Sequence, residues 1–149
     1  MPLLSTTLSD AILAFSDPQN RNFPGDAADT GKKWAAAFRT YFEGISNPVC
    51  LPIAHVTGEA SCVSAMTPLV QATDGAAQAA LAAGLQAYVV VIVANCAPYV
   101  ATPPAGFILP SMPPTDSAVD AATILADGIN TWAKTGMASI PPATASNWL

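Results

Sequence analysis

The residues best suited to covalent chemistry lie between positions 50 and 64, around His55, which is the only histidine of the chain. Cys50 lies five residues before it and Cys62 follows it, and an imidazole close to a thiol can generate the nucleophilic thiolate. Glu59 is the one nearby acid that can orient the imidazole. No Gly-x-Ser-x-Gly elbow or cysteine-protease motif surrounds these residues. A small Cys/His hydrolase is therefore the least favoured function, and we expect His55 to be a loop histidine with a structural or solvent-exposed role.

Other kinds of site lack the residue spacing that they require. The ten carboxylates are scattered, and no HExxH, cysteine-rich or acidic-loop pattern is present. Gly84, Gly106 and Gly128 stand alone, so no glycine-rich phosphate cradle forms. We therefore predict no catalytic residue, no cofactor, no metal site and no small-molecule substrate, and we expect that the protein is not an enzyme.

The cysteine count argues against a disulfide framework. The chain has three cysteines, Cys50, Cys62 and Cys96, and an odd number leaves at least one thiol unpaired. Buried thiols that act as small hydrophobic groups are the favoured interpretation. A bridge between Cys50 and Cys62 in an oxidising compartment stays open as the alternative.

The composition limits the classes of partner. The 149 residues fit one domain, and 52% are apolar while only 10% are charged, against about 25% charged in typical domains. Ten acids and five bases give a net charge of −5, so no basic patch is expected to bind nucleic acid or an anionic membrane. A surface so poor in charge favours association with other chains.

Helical periodicity runs through most of the chain. It predicts a mainly α fold, a small bundle of about four helices. The predicted helical domain is 1–136 and carries a proline-rich arm at 99–114. An extended C-terminal tail is predicted at 137–149. Pro68 is expected to divide 57–73 into two short helices. The other predicted helices are 6–16, 26–45, a long helix from 75 to about 97 capped by Asp74, and a final helix that opens at Thr115 or Ser117 and stops at Gly136.

The stretch 78–97 is almost long and apolar enough to span a membrane. Gln78, Gln86 and Asn95 interrupt it, and no Lys or Arg near either end would anchor it. A buried central helix is therefore preferred and a membrane partner is not expected. A membrane-active, holin-like protein is the alternative.

The last third of the chain contains the motifs TPPAG at 102–106, LP at 109–110 and INTWAKTGMA at 129–138, and Trp148 follows them. In these motifs the chain resembles small structural proteins of tailed bacteriophages. The resemblance implies a non-enzymatic role in a capsid, neck, tail or baseplate, in contact with other virion proteins and copies of itself. It also implies that the protein is located in the virion after assembly in the host cytoplasm.

The proline-rich arm and the tail are the predicted contact segments, because chains already restricted by proline lose little entropy on docking. Trp148 is costly to leave in water, so it either folds back or docks on a neighbour. Deletion of 142–149 is expected to abolish assembly and leave the helical fold intact. The predicted interface residues are Tyr99, Pro103, Pro104, Phe107, Pro110, Pro113, Pro141, Pro142, Trp148 and Leu149.

Overall fold

Five α-helices make up most of the described chain, which comprises residues 2–70, 76–112, 114 and 117–149 of a computed structural model. The mainly α prediction is confirmed. A short 3-10 turn, Pro18–Asn20, follows the first helix, and three short strands lie near the C-terminal end of the chain. The helices are α1 (Ser5–Ser16), α2 (Ala27–Phe42), α3 (Pro52–Val70), α4 (Ala76–Ala94) and α5 (Ala118–Ala133), and the strands are β1 (Val100–Thr102), β2 (Met137–Ser139) and β3 (Ser146–Asn147).

The helices whose ends carry polar caps begin close to where the sequence predicts. Asp26 caps α2 by accepting a hydrogen bond from the Asp29 backbone N–H at 2.8 Å. Ser117 caps α5 in the same way, by accepting from the Asp120 N–H. The predicted openings of α4 at Asp74 and of α5 at Thr115 lie outside the described residues.

The helix α3 differs from its prediction, because it is one continuous element rather than two short ones. It begins at Pro52, where the missing N–H of proline costs no helical hydrogen bond. Pro68 lies in its last turn, so only the end of the helix is affected. There Thr67 Oγ1 donates to the Val63 carbonyl at 2.8 Å. The sequence prediction was wrong because packing against α2 and α4 outweighs the local effect of this proline.

Helices α3 and α4 lie close together because glycines occupy their contact. A Cβ atom at Gly58 would lie 2.9 Å from Tyr88 Cε1, and one at Gly84 would lie 2.5 Å from Met66 Cγ. The Tyr88 ring in turn stacks on Phe42 of α2, with 4.9 Å between ring centroids. One aromatic side chain of α4 therefore joins three helices.

The helices pack in the order α5, α1, α2, α3 and α4, and a small sheet connects the two outer ones. α1 contacts both α5 and α2, and α3 lies between α2 and α4. Strand β1 follows α4 and pairs antiparallel with β2, which follows α5. β2 also pairs with β3, so β1 and β3 are the edges of this sheet.

The C-terminal tail is not a free extension, because it folds back into the domain. Trp148 is fully buried, its backbone N–H donates to the Gly136 carbonyl, and its indole N–H donates to the Met137 carbonyl. Its ring covers Gly136, where a Cβ would lie 2.6 Å away. Deletion of 142–149 would remove β3 and a core side chain. We therefore expect the deletion to destabilise the fold as well as to affect assembly.

We predict that Gly58→Ala lowers the free energy of unfolding by about 1–3 kcal/mol, because the new methyl group meets the rigid Tyr88 ring. This cost exceeds the gain of about 1 kcal/mol in helix propensity. Urea unfolding measures the change. Gly25→Ala is the matched control, since nothing lies within 4 Å of that position and the change should be within about 0.5 kcal/mol of zero. Equal stabilities for the two variants would contradict the proposed contact.

Candidate functional site

His55 lies in the first turn of α3, buried against α4, rather than in a loop. Its side chain is 8% exposed, and its Nδ1 lies 3.2 Å from the Tyr88 hydroxyl. That hydroxyl donates to the His55 backbone carbonyl at 3.3 Å. Because the hydroxyl has a single proton, the ring Nδ1–H is then the donor to the Tyr88 oxygen. The geometry therefore assigns Nδ1 as a protonated nitrogen of a histidine that joins α3 to α4.

Glu59 does not orient the imidazole, as an enzyme with this histidine would require. Its carboxylate accepts from Arg39 Nη1 at 2.8 Å, and Glu43 accepts from Arg39 Nε at 2.8 Å. Burial lowers the pKa of His55 below its ordinary value of 6.5, and Arg39 adds to this effect while Glu43 opposes it. The histidine is therefore held in its neutral form.

The cysteine thiols are free and do not contact the histidine. The Cys62 thiol donates to Met66 Sδ at 3.5 Å, and the Cys50 thiol donates to the Pro48 carbonyl at 3.8 Å. Burial raises the pKa of both thiols to about 12, so they are protonated at neutral pH. All three thiols are free; Cys62 and Cys96 are buried, as the favoured interpretation expects, whereas Cys50 is half-buried. The geometry thus provides no thiolate–imidazole pair within the described chain.

The remaining polar groups of the described chain form no metal site of three ligands, and the best-defined groove is lined by one acid and one base. Within residues 2–70, 76–112, 114 and 117–149, no group of three His, Cys, Asp or Glu side chains could hold a metal ion. A groove of about 530 Å³ runs between α1 and α2, with Asp10 and Lys33 in its wall. The Lys33 ammonium group already donates to the Asn22 carbonyl at 2.7 Å and pairs with Asp29 at 3.3 Å. This lysine therefore stabilises the loop before α2.

The proline-rich arm is fixed to the body of its own domain. The Trp132 indole N–H of α5 donates to the Ala105 carbonyl, and the Phe107 ring meets the Trp132 ring edge-on with 5.5 Å between centroids. The Pro110 ring lies over Gly128, where a Cβ would be 2.7 Å away. The arm is thus an ordered segment packed on α5.

The predicted interface residues fall into four groups in the structure. Pro104, Phe107 and Trp148 are buried in their own chain and present no surface to a partner. Tyr99, Pro103 and Pro110 are half-buried, and Pro141, Pro142 and Leu149 are exposed. Pro113 lies outside the described residues.

The most exposed large apolar side chain in the described chain was missed by the sequence prediction. Ile108 is 87% exposed, while its neighbours Phe107 and Leu109 are buried and half-buried. Alternation of this kind is typical of an extended segment with one anchored side, and the sequence Phe-Ile-Leu between prolines was the only indication. Other large apolar side chains that are more than half exposed are Phe23, Val49, Leu51, Ile53, Val90, Val100 and Val119.

Comparisons with protein-family models, with curated protein sequences and with solved structures give no match to this chain. The resemblance to phage structural proteins therefore stays a prediction. By length and composition alone, one helix of the described chain, α4, could cross a membrane, and 39% of its most apolar window is buried in the fold.

We predict that the stability of the protein falls as the pH drops below 6.5, in part because of His55. The folded state binds the His55 proton more weakly than the unfolded chain, so protonation favours unfolding in this range. Melting temperatures between pH 5.5 and 7.5 should therefore decline less in His55→Asn, which keeps an N–H donor but cannot titrate. Both chains contain the same carboxylates, whose effect cancels in the difference. Parallel pH profiles would contradict this assignment.

We also predict slow thiol modification of the native protein. With a pKa of about 12, Cys50 and Cys62 should react at pH 8 at least about a hundredfold more slowly than an unperturbed thiol. A disulfide-exchange reagent with a coloured product follows the reaction. In about 6 M guanidinium, which unfolds the protein, all three thiols of the same sample should react rapidly. Rapid modification of one thiol in the native state would revive the hydrolase hypothesis.

Proposed function

We propose that the protein is a non-enzymatic structural subunit of a tailed-phage particle, in the capsid, neck, tail or baseplate, that acts through protein–protein contacts. Its partners are other virion proteins and copies of itself. It is located in the virion after assembly in the host cytoplasm. The similarity of the last third of the chain to phage structural proteins supports this assignment, as does the low charge of the whole chain, 10% of residues.

The observation that carries the proposal is the exposed Ile108 on an anchored arm. The contact of Phe107 with Trp132 holds the backbone beside Ile108 in place. A partner that covers this side chain therefore binds a segment that is already ordered, and the loss of conformational entropy on binding is small. A concave surface of about 500 Å³ adjoins it between the arm and α5, lined by Pro110, Ile124 and Thr131 among others. An exposed apolar side chain beside a concave, mainly apolar surface is typical of a protein–protein contact.

The chemistry around His55 supports the non-enzymatic part of the proposal. The histidine is neutral, buried and committed to Tyr88, and its acid neighbour Glu59 is paired with Arg39. A general base must reach the proton that it removes, and this imidazole faces the inside of the domain. The arrangement is typical of a structural polar contact between helices.

A membrane-active role is the second candidate, and the length and composition of α4 favour it. Tyr88, Leu85 and Ile92 of this helix are fully buried, and Tyr88 also bonds to α3. Insertion of α4 into lipid would expose these partners and break the stacking with Phe42. This cost favours the structural subunit.

The proposal is tested on particles purified by density gradient from a lysate of the phage that encodes the chain. We expect peptides of this protein at a constant ratio to the major particle protein across the particle peak. Ile108→Lys, supplied in place of the native chain, should lower its incorporation at least about tenfold, because the lysine must be desolvated at the contact. Phe23→Lys is the matched control, as Phe23 is 54% exposed in the loop before α2 and is not part of the arm, and it should be incorporated normally.

Two outcomes would overturn the proposal. The first is absence of the chain from particles, and the second is its recovery in the carbonate-washed membrane fraction, which would favour the holin-like function. Far-UV circular dichroism of the two purified variants checks that both are folded.

A further inference from the structure

The outward side of the α3–α4 hairpin is a surface with many exposed apolar side chains. Leu51, directly before α3, is 59% exposed, and Ile53 and Val56 in its first turns are 56% and 48% exposed, while Val90 on α4 is 53% exposed. The backbone N–H of Leu51 donates to the Asn95 carbonyl at 3.3 Å, which sets the start of α3 beside the end of α4. We call this surface the hairpin face.

The hairpin face is almost free of charge. Between Glu43 and Asp116 the sequence contains only two charged residues, Glu59 and Asp74, and neither is basic. Within the described part of the hairpin, Glu59 is the one charged side chain, and it pairs with Arg39 of α2. The hairpin face therefore offers no ionic group to a partner chosen by opposite charge.

This distribution of charge points to a second copy of the chain as the occupant. Each copy has a net charge of −5, and every described charge except Glu59 lies outside α3 and α4. Two copies of net charge −5 repel each other overall, and contact through the hairpin face, where Glu59 is paired with Arg39, brings the fewest charged groups together. A neutral apolar face is complementary to itself, as an isologous two-fold contact requires.

The size of the hairpin face is sufficient for such a contact. Each of the two helices has 19 residues. Together they offer a face about 28 Å long and about 20 Å wide, which corresponds to roughly 1,100 Å² buried over two copies. This area clears the approximately 1,000 Å² that a biological interface is expected to bury.

We propose that two copies of the protein pair through the hairpin faces of α3 and α4. The inference rests on the proposed function, because it names the contact between copies of the subunit. The two proposals assign different partners to two surfaces: the hairpin face binds a second copy, and the arm binds other particle proteins.

Light scattering behind a sizing column tests the pairing. The wild-type chain should show twice its mass of 15.2 kDa at high micromolar concentration. Val90→Lys and Ile53→Lys should each raise the dissociation constant at least about tenfold and give the single-chain mass, because the contact would have to bury like charges. Val119→Lys is the matched control, since Val119 is also a helical valine with 53% exposure, and it should keep the double mass.

The outcomes separate this inference from the proposed function. A wild-type monomer, or a dimer that persists in both hairpin variants, overturns the pairing even if the chain is present in particles. A monomer that floats with phosphatidylcholine vesicles also overturns it and assigns the hairpin face to lipid. A dimer that both hairpin variants dissociate supports the pairing even if particles lack the chain. Circular dichroism confirms that each variant is folded.

Discussion

The close approach of α3 and α4 is the contact on which the rest of the structure depends. Gly58 leaves space for the Tyr88 ring, and Gly84 leaves space for Met66, so the two helices lie nearer than ordinary side chains permit. With the ring in that position, its hydroxyl reaches His55 and its face stacks on Phe42. This arrangement satisfies the only buried histidine and connects α4, the most apolar helix, to the centre of the bundle.

This packing also explains why the apparent chemistry of the sequence is not realised as a site. The histidine, two of the three cysteines and the acid lie within thirteen positions, from Cys50 to Cys62, yet their side chains have separate partners. The His55 imidazole is hydrogen-bonded to Tyr88, the Cys62 thiol donates to Met66, and Glu59 accepts from Arg39. Burial then keeps the histidine neutral and the thiols protonated. Helical spacing was a poor guide to function, because His55, Glu59 and Cys62 lie at i, i+4 and i+7 on one side of α3 and still have separate partners on α4, on α2 and within α3 itself.

The sequence predicted some elements well and others poorly, and the difference has a physical origin. The starts of α2 and α5 were predictable because Asp26 and Ser117 cap them through local hydrogen bonds. The continuity of α3 was not, because packing on both sides outweighs the effect of Pro68. For the candidate interface, the sequence identified the arm as a segment but could not separate Phe107, which packs on Trp132, from Ile108, which is exposed.

The sequence by itself determined the helical class and the low content of charged residues. It also determined that the segment between Glu43 and Asp116 has the fewest charges, because composition and periodicity are properties of the chain alone. Only the tertiary structure decided which apolar residues stay on the surface. Trp148 and Ile108 are both large apolar residues near prolines, and one is fully buried while the other is 87% exposed. Whether each side chain is buried depends on its tertiary contacts. The Trp148 ring packs on the backbone of Gly136, which has no side chain, whereas no part of the described fold covers Ile108 and its side chain lies in solvent.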